Sequence, residues 1–164
     1  MEIIKNSYLS KDKVTLKTLN PDDKPALTLC ADNQKIWDNN PHINSFAQFE
    51  AWYAKAMQQE NRWSFSVAWK NTIVGSTSYY NIDAPNRNLN IGYTWHHPDV
   101  WGTKLNALAK FLLLEYAFEK LACIRVGFKT DVTNIRSRKA LEKLGAENAP
   151  VPVARSSRPE FGEY

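Results

Sequence analysis

PDVWGTKLNALAKFLLLEYAFE, residues 98–119, is the stretch that decides the fold of this chain. A polar segment over 98–104 leads directly into apolar residues at helical spacing, namely Leu105, Leu108, Phe111, Leu112, Tyr116 and Phe118. That spacing is typical of a helix that packs one face against a core. The first N–H groups of a helix have no acceptor inside the helix and lie at its positive end, so this helix start is a potential anion site.

The segments around this helix alternate apolar and polar residues, which predicts strands over 63–70, 73–80, 89–95 and 123–130. Lys70 and Asn71 form a turn, and residues 83–87 form a loop, so the first three strands make an antiparallel meander. The order strand, helix, strand then makes a crossover, which should place the fourth strand parallel to the third.

Further elements are indicated near both ends of the chain, and proline breaks every pattern after Glu147. The elements are a strand over 14–19, a helix that Asn20 caps and that runs to about Asn33, a helix from Phe46 to about Gln59 behind a capping box of Ser45 and Gln48, and a helix from Asn134 to Leu144 that Gly145 ends. Residues 147–164 are therefore expected to be an irregular tail.

Size and composition describe one ordinary globular domain. The chain has 164 residues, of which 43% are hydrophobic and 23% charged, and its net charge is +4. A basic balance suits either a nucleic-acid binder or an enzyme with a phosphate-bearing substrate. Two distant cysteines, no signal peptide and no long apolar run predict a cytoplasmic protein with no membrane partner and no metal site.

The element order and two separate motifs resemble the GNAT superfamily of acyl-CoA N-acyltransferases. The first motif is the opening stretch with Ile91, Gly92, Tyr93 and Trp95 before it, and the second runs from Thr130 to Ala146. Within the superfamily, they look like the branch related to the ribosomal-protein N-terminal acetyltransferases (RimJ/RimL-like). The resemblance covers about residues 13 to 146.

The resemblance implies an α/β (α+β) fold, with a mixed, mostly antiparallel sheet and helices on both faces. Residues 1–146 would form the single acyltransferase-like domain, and 147–164 the tail. The family adds two more strands after the last helix, and here that strand pair is expected to be missing or irregular. An open sheet edge would follow, and with it a possible homodimer.

The loop before the long helix is where the family holds the pyrophosphate of acetyl-CoA with backbone amides. The six positions of the family motif fall on Trp101 to Asn106, and Gly102 is their only glycine. Lys104 and Asn106 replace the small residues of the pattern, so we expect an altered geometry in which the Lys104 ammonium pairs with a phosphate. The cofactor-binding residues predicted here are Gly102, Thr103, Lys104, Asn106 and Ala107.

Three further cofactor-binding residues and one catalytic residue follow from the resemblance. The strand end from Trp95 to His97 matches the edge whose backbone pairs with the pantetheine arm, and Trp95 and His97 are predicted to bind it. Asn134 matches the asparagine that holds the pantetheine. The family often has a tyrosine that protonates the departing thiolate, but that position is Leu141, so Ser137 is the predicted acid.

Attack of an amine on a thioester also needs a base or a water chain, and a donor to the oxyanion. Backbone N–H groups at the splayed strand end can be that donor. The candidate bases are His96, His97, Asp83 and Glu50, and the aromatic residues that could line an acceptor cleft are Trp37, Trp52, Tyr53, Tyr79 and Tyr80.

The function predicted is transfer of an acetyl group from acetyl-CoA to a primary amine, either a protein N-terminus or a small molecule. The alternative is a non-catalytic CoA-binding or scaffolding protein with the same fold. A nucleic-acid module built on the basic cluster at Arg136, Arg138, Lys139 and Lys143 ranks last, because no stacking aromatic residues accompany these charges.

Overall fold

The computed structural model describes residues 7–38, 48–58 and 61–147, and the backbone of 161–163. Within these residues, seven strands form one sheet in which they follow each other in chain order. The strands are β1 (Tyr8–Lys11), β2 (Val14–Thr18), β3 (Arg62–Trp69), β4 (Thr72–Asp83), β5 (Asn88–His96), β6 (Arg125–Asp131) and β7 (Phe161–Glu163).

The β5–β6 pair is parallel and all the other neighbouring pairs are antiparallel. The parallel pair confirms the crossover that the sequence predicts, and with it the mixed, mostly antiparallel fold class. β1 is a strand that the sequence pattern did not predict.

Helices cover both faces of the sheet. They are α1 (Lys24–Ala31), α2 (Phe49–Gln58), α3 (Leu105–Glu115) and α4 (Ile135–Glu142). Asn20 begins the α1 region as predicted, because its side chain accepts from the Asp22 N–H and Asp23 completes the capping box. Ser45, Phe46 and Gln59, at the two ends of the predicted second helix, lie outside the described residues.

Two buried clusters hold these layers together. One lies between the sheet and α3, and includes Phe65, Ile91 and Leu113. The other lies between the opposite sheet face and the helices α1 and α2, and includes Phe49 and Trp95. Ile91 and Trp95 belong to the same strand but to different clusters, which simple alternation along β5 does not allow.

The long helix and the C-terminal tail differ in part from the sequence prediction. α3 ends at Glu115 and continues as a π-helical turn over Tyr116–Lys120, rather than as one helix to residue 119. In the tail, β7 pairs antiparallel with residues Lys129 to Asp131 of β6. One short strand of the C-terminal pair is therefore present, and it covers the last three residues of the β6 edge that was expected to attract a second copy.

Gly75 allows β4 and β5 to approach closely beside the bend in β5. A Cβ on Gly75 would lie 2.1 Å from the Trp95 carbonyl oxygen and 2.9 Å from the His96 Cα. We expect Gly75→Ala to lower the free energy of unfolding by about 3 kcal/mol, since backbone atoms of β5 would have to move. Urea denaturation measures the change.

The control for this variant is Gly145→Ala, where a Cβ would meet no atom within 4 Å but φ is +79°. Only the strained backbone angle then costs stability, about 1 kcal/mol. Equal losses in the two variants would contradict the close approach at Gly75.

Candidate active site

A bulge in β5 opens the sheet. Ser78 pairs with Gly92 and Ser76 pairs with Trp95, so β5 has one residue more than β4 between these pairs. Tyr93 takes up the extra residue with a left-handed φ of +51°. After the bulge the alternation is reversed, and this puts Trp95 on the α2 face of the sheet and His96 on the α3 face.

The bulge also lies where β5 and β6 separate. Their parallel ladder ends at Ile91 and Phe128, although β5 continues to His96 and β6 to Asp131. A cleft of about 750 Å³ fills this opening. We call it the splay cleft. Its walls include Trp52 of α2 and Lys110 of α3, so it connects the two faces of the sheet through the gap.

The α3 side of the splay cleft contains two buried nitrogen groups, those of His96 and Lys110. Their side chains belong to residues that are 8% and 7% exposed. Burial, and after it the positive charges of Lys110 and Arg136, together lower the pKa of His96 to about 3. Burial also lowers the pKa of Lys110 to about 8. Among the described residues, His96 Nε2 has no hydrogen-bond partner.

Trp101 joins the loop before α3 to the end of β5 and to α4. Its indole Nε1 donates to the His96 carbonyl oxygen at 2.9 Å, and the Arg136 guanidinium lies 4.2 Å from the centre of its ring. The loop is further held by Thr103, whose hydroxyl donates to the Val100 carbonyl oxygen and accepts from the Leu105 N–H. One wall of the splay cleft is thereby fixed, and Arg136 is brought near the start of α3.

The backbone angles of this loop correct the expectation about its missing glycines. The left-handed residue is Gly102, with φ of +75°, at a position that the family pattern leaves open. Lys104 has a φ of −73° and Asn106 lies in the first turn of α3, so neither position needs glycine. A residue with a Cβ adopts both conformations without strain, and the substitutions change the side chains offered to an anion and not the path of the backbone.

Asn134 and Ser137 begin α4 at the edge of the splay cleft, and both line it. The Asn134 side-chain oxygen accepts from the Ser137 N–H at 3.0 Å and so caps the helix. Capping occupies only the oxygen of the side chain. Its NH₂ group can still donate a hydrogen bond into the cleft.

The α2 side of the splay cleft is aromatic around one cation. The Arg62 guanidinium lies 3.9 Å from the centre of the Tyr93 ring and 5.6 Å from that of Trp52. The Tyr80 ring meets the Tyr93 ring edge-on at 5.1 Å, and Trp95 meets Trp52 in the same way at 5.4 Å. Burial lowers the pKa of Arg62 to about 10, which still leaves it charged at neutral pH.

Residues 13–147 match the family model described as Acetyltransferase (GNAT) domain. This match covers most of the chain. The chain belongs to the GNAT acetyltransferase family.

One of the two curated relatives of this GNAT domain carries an acetyltransferase name. It is 34% identical over 79 residues to a Bacillus subtilis (strain 168) protein named as a ribosomal N-acetyltransferase, YdaF. The match covers 48% of this chain and 43% of YdaF. A shorter match of 29 residues, at 69% identity, covers 18% of this chain and 5% of the arginine–tRNA ligase of Alteromonas mediterranea. The chain thus spans less than half the length of either curated relative.

Solved structures share the whole fold. A crystal structure described as that of an acetyltransferase superimposes with a TM-score of 0.85 at 25% identity, and the match covers 100% of this chain and 87% of that one. The spermidine N-acetyltransferase of Vibrio cholerae, solved with CoA and spermine, gives a TM-score of 0.70 at 18% identity. That match covers 92% of this chain and 93% of the other chain.

The structure brings together part of the predicted site. Trp95, Asn134 and Ser137 line the splay cleft. Trp101 connects it to the loop with Gly102, Thr103 and Lys104, which leads into the first turn of α3 with Asn106 and Ala107. His97 is not among the lining residues. Its Nδ1 accepts a hydrogen bond from the Asp99 N–H at 3.3 Å, so the ring stabilises a local turn.

Most candidate bases and some aromatic candidates lie elsewhere. Asp83 lines a different concavity, and the Glu50 carboxylate forms an ion pair with Lys24 at 2.8 Å. Of the four candidate bases, His96 alone lines the splay cleft. Of the aromatic candidates, Trp52 and Tyr80 line the cleft, whereas Trp37, Tyr53 and Tyr79 are core residues. Tyr79 is fully buried and donates its hydroxyl to the Leu113 carbonyl oxygen.

Lys110 and Arg62 line the splay cleft and were not predicted from the sequence as site residues. Lys110 lies on the same helix face as Leu113 and Ala117, which are buried. The helical spacing of these residues therefore could have predicted that Lys110 is buried. Arg62 is the first residue of β3, and nothing local shows that its side chain reaches the bulge in another strand.

In the described residues, no group of three or more His, Cys, Asp or Glu side chains could hold a metal ion. None of the helices within this part of the chain has the length and hydropathy that crossing a membrane requires.

Lys110 is expected to make the stability of the domain depend on pH. Its pKa is about 8 in the folded chain against 10.5 when exposed. Between these values the unfolded state binds more protons, so the free energy of unfolding rises with pH by up to about 1.4 kcal/mol per unit. We expect Lys110→Met to be more stable than the natural chain by about 3 kcal/mol at pH 7, and by much less at pH 10. Urea denaturation at both pH values measures this.

Lys120→Met is the matched control, because Lys120 is exposed near the end of the same helical segment. Its effect should stay within about 0.5 kcal/mol at both pH values. The same pH dependence in both variants would show that Lys110 is not buried as a cation.

Proposed function

We propose that this GNAT domain is an acetyl-CoA-dependent N-acetyltransferase that transfers the acetyl group to a primary amine by direct attack on the thioester. The observation that carries the proposal is the splay cleft, which passes through the sheet at the β5 bulge. A donor can then enter from the α3 side and an acceptor from the α2 side, and the two meet at unpaired strand backbone. The similarity to YdaF supports the branch related to ribosomal-protein acetyltransferases.

The α3 side has the chemistry that CoA requires. The first turn of α3 presents N–H groups without an intrahelical acceptor, and Lys104 and Arg136 add positive charge nearby. The unpaired edge of β5 after Ile91 suits hydrogen bonds with a pantetheine amide chain, as an added strand would make. The Asn134 NH₂ group supplies a further donor. The predicted roles of Gly102, Thr103, Asn106, Ala107, Trp95 and His97 remain part of this proposal.

Acetyl-CoA, when bound, supplies a thioester carbonyl whose oxygen gains negative charge as the amine attacks. In this proposal, backbone N–H groups at the bulge, around Tyr93 and Thr94, donate to that oxygen, because neither residue is in register with a residue of β4. The Ser137 hydroxyl lines the same cleft and donates a proton toward the departing sulfur. His96 is a weak base, since its pKa is about 3, so we propose that water in the cleft takes the proton from the ammonium.

The acceptor is a protein N-terminus or a small-molecule amine. The names of the relatives include both a ribosomal and a spermidine acetyltransferase. Both cysteines are buried and unpaired, which supports a cytoplasmic location. A homodimer remains a prediction.

Release of free thiol from acetyl-CoA in the presence of a panel of amines tests the function, with binding of CoA measured separately by calorimetry. We expect thiol release with at least one amine. Asn134→Ser keeps a capping oxygen but removes the NH₂ donor, so it should weaken CoA binding about tenfold at nearly unchanged stability. Asn134→Ala should lose the same affinity and about 1 kcal/mol of stability as well.

The outcomes separate the enzyme from its alternative. CoA binding without thiol release for any amine would overturn the enzyme and support the non-catalytic CoA-binding protein. No CoA binding at all would overturn both.

Lys104 is expected to strengthen CoA binding through its charge. We expect Lys104→Ala to weaken CoA about fivefold, which is the usual effect of one exposed charge on a phosphate, and the loss should shrink at high salt. Lys104→Gly should be equally weak, because the backbone at this position is already helical and needs no glycine. Recovery of affinity in the glycine variant would contradict this account. Calorimetry at two salt concentrations measures both.

A further inference from the structure

Arg62 is the feature of the α2 side that the proposed function does not use. The charged residues that line the splay cleft are Lys55, Arg62, Lys110, Lys129 and Arg136, with Asp131 as the acidic residue among them. The Asp131 carboxylate already accepts from the Thr133 N–H and hydroxyl at 2.7 and 2.6 Å. The phosphates of CoA would face the cations on the α3 side, which leaves Arg62 and Lys55 on the α2 side.

The Arg62 guanidinium is held in one orientation. Its Nε donates to the Ser78 hydroxyl at 3.2 Å, and that hydroxyl donates onward to Ser64 at 3.1 Å. Its central carbon lies over the Tyr93 ring, 3.9 Å from the ring centre. A guanidinium fixed by its Nε and by an aromatic ring presents its two terminal nitrogens as a rigid fork, which matches the two oxygens of a carboxylate.

The end of this fork has no partner in the described residues. Arg62 Nη2 is buried without an acceptor, and no carboxylate forms an ion pair with it there. A buried donor of this kind costs free energy unless something accepts from it. The ring of Tyr93 that Arg62 covers belongs to the bulge residue itself, so an anion on the fork would be held beside the place where the amine attacks.

We propose that the acceptor is a primary amine that carries a carboxylate, and that Arg62 binds this carboxylate. The inference rests on the proposed function and narrows its acceptor class. A free amino acid offers the carboxylate next to its amine, and a peptide N-terminus offers it on an Asp or Glu side chain. A polyamine carries several positive charges, and the Lys and Arg side chains that line the splay cleft would repel it. The inference therefore excludes polyamines as acceptors.

The first experiment compares acceptors in pairs that differ only in charge. L-phenylalanine is compared with phenylalanine amide, and a peptide that begins with Asp is compared with the same peptide beginning with Asn, each by thiol release from acetyl-CoA. We expect the carboxylate of one pair to raise kcat/KM about 10- to 100-fold over its neutral twin, as a charged hydrogen-bonded pair does. The pair that shows the effect identifies the source of the carboxylate.

The second experiment asks whether Arg62 produces that preference. Arg62→Gln should bring the kcat/KM of the carboxylate-bearing acceptor down to that of its neutral twin, whereas Arg62→Lys, which keeps the charge but loses the fork, should keep part of the preference. Arg125→Gln is the matched control: Arg125 is exposed and does not line the splay cleft, so the preference should persist. CoA affinity, measured for each variant, reports whether the variant is folded.

A third measurement separates failure of the inference from failure of the proposed function. NMR measures, in the presence of CoA and without turnover, the binding of the acetylated products. N-acetyl-phenylalanine is compared with its amide, and an N-acetylated peptide beginning with Asp is compared with the same peptide beginning with Asn. Carboxylate-dependent binding that Arg62→Gln abolishes supports the inference even if no amine releases thiol. Thiol release with neutral amines as fast as with carboxylate-bearing ones, or a preference that survives in Arg62→Gln, would overturn it and leave the enzyme standing.

Discussion

The extra residue in β5 is the constraint on which the rest of this site depends. A single unpaired residue at Tyr93 bends the strand, ends the ladder with β6 and reverses the inward and outward directions that follow. Without it, β5 and β6 would pair to their ends and close the splay cleft. His96 would then face α2, where Trp95 now packs, and the Arg62 guanidinium would have no Tyr93 ring beneath it.

The bulge also divides the chemistry between the faces of the sheet. The α3 side combines free helix N–H groups with Lys104, Arg136 and the Asn134 amide, which is an environment for phosphates and amides. The α2 side is an aromatic enclosure around Arg62. The two sides meet at the β5 bulge, where backbone donors are unpaired. The bulge removes hydrogen bonds from the sheet, and the freed N–H groups can stabilise the negative charge that is proposed to develop on the thioester oxygen.

Periodicity predicted the elements well because each depends on local spacing. The strands β2 to β6, the helices and the parallel crossover follow from alternation, caps and connection handedness. It failed where a distant partner decides the outcome. The π-helical turn at Tyr116–Lys120 and the strand Phe161–Glu163 depend on neighbouring elements, and the tail pattern alone predicts neither. In the loop before α3, only the backbone angles showed that Gly102 carries the positive φ.

The sequence by itself determined the fold class, the place of the α3 start, and the start of α4 at Asn134. These follow from the spacing of residues a few positions apart, which can be recognised without knowing how the chain packs. Only the tertiary structure decided which side chains share the cleft: Lys110 from α3, Arg62 from β3 and Trp52 from α2 come together there, while Asp83 and Glu50 do not. The physical reason is that a bulge changes the direction of every later side chain in its strand, and local alternation does not contain that information.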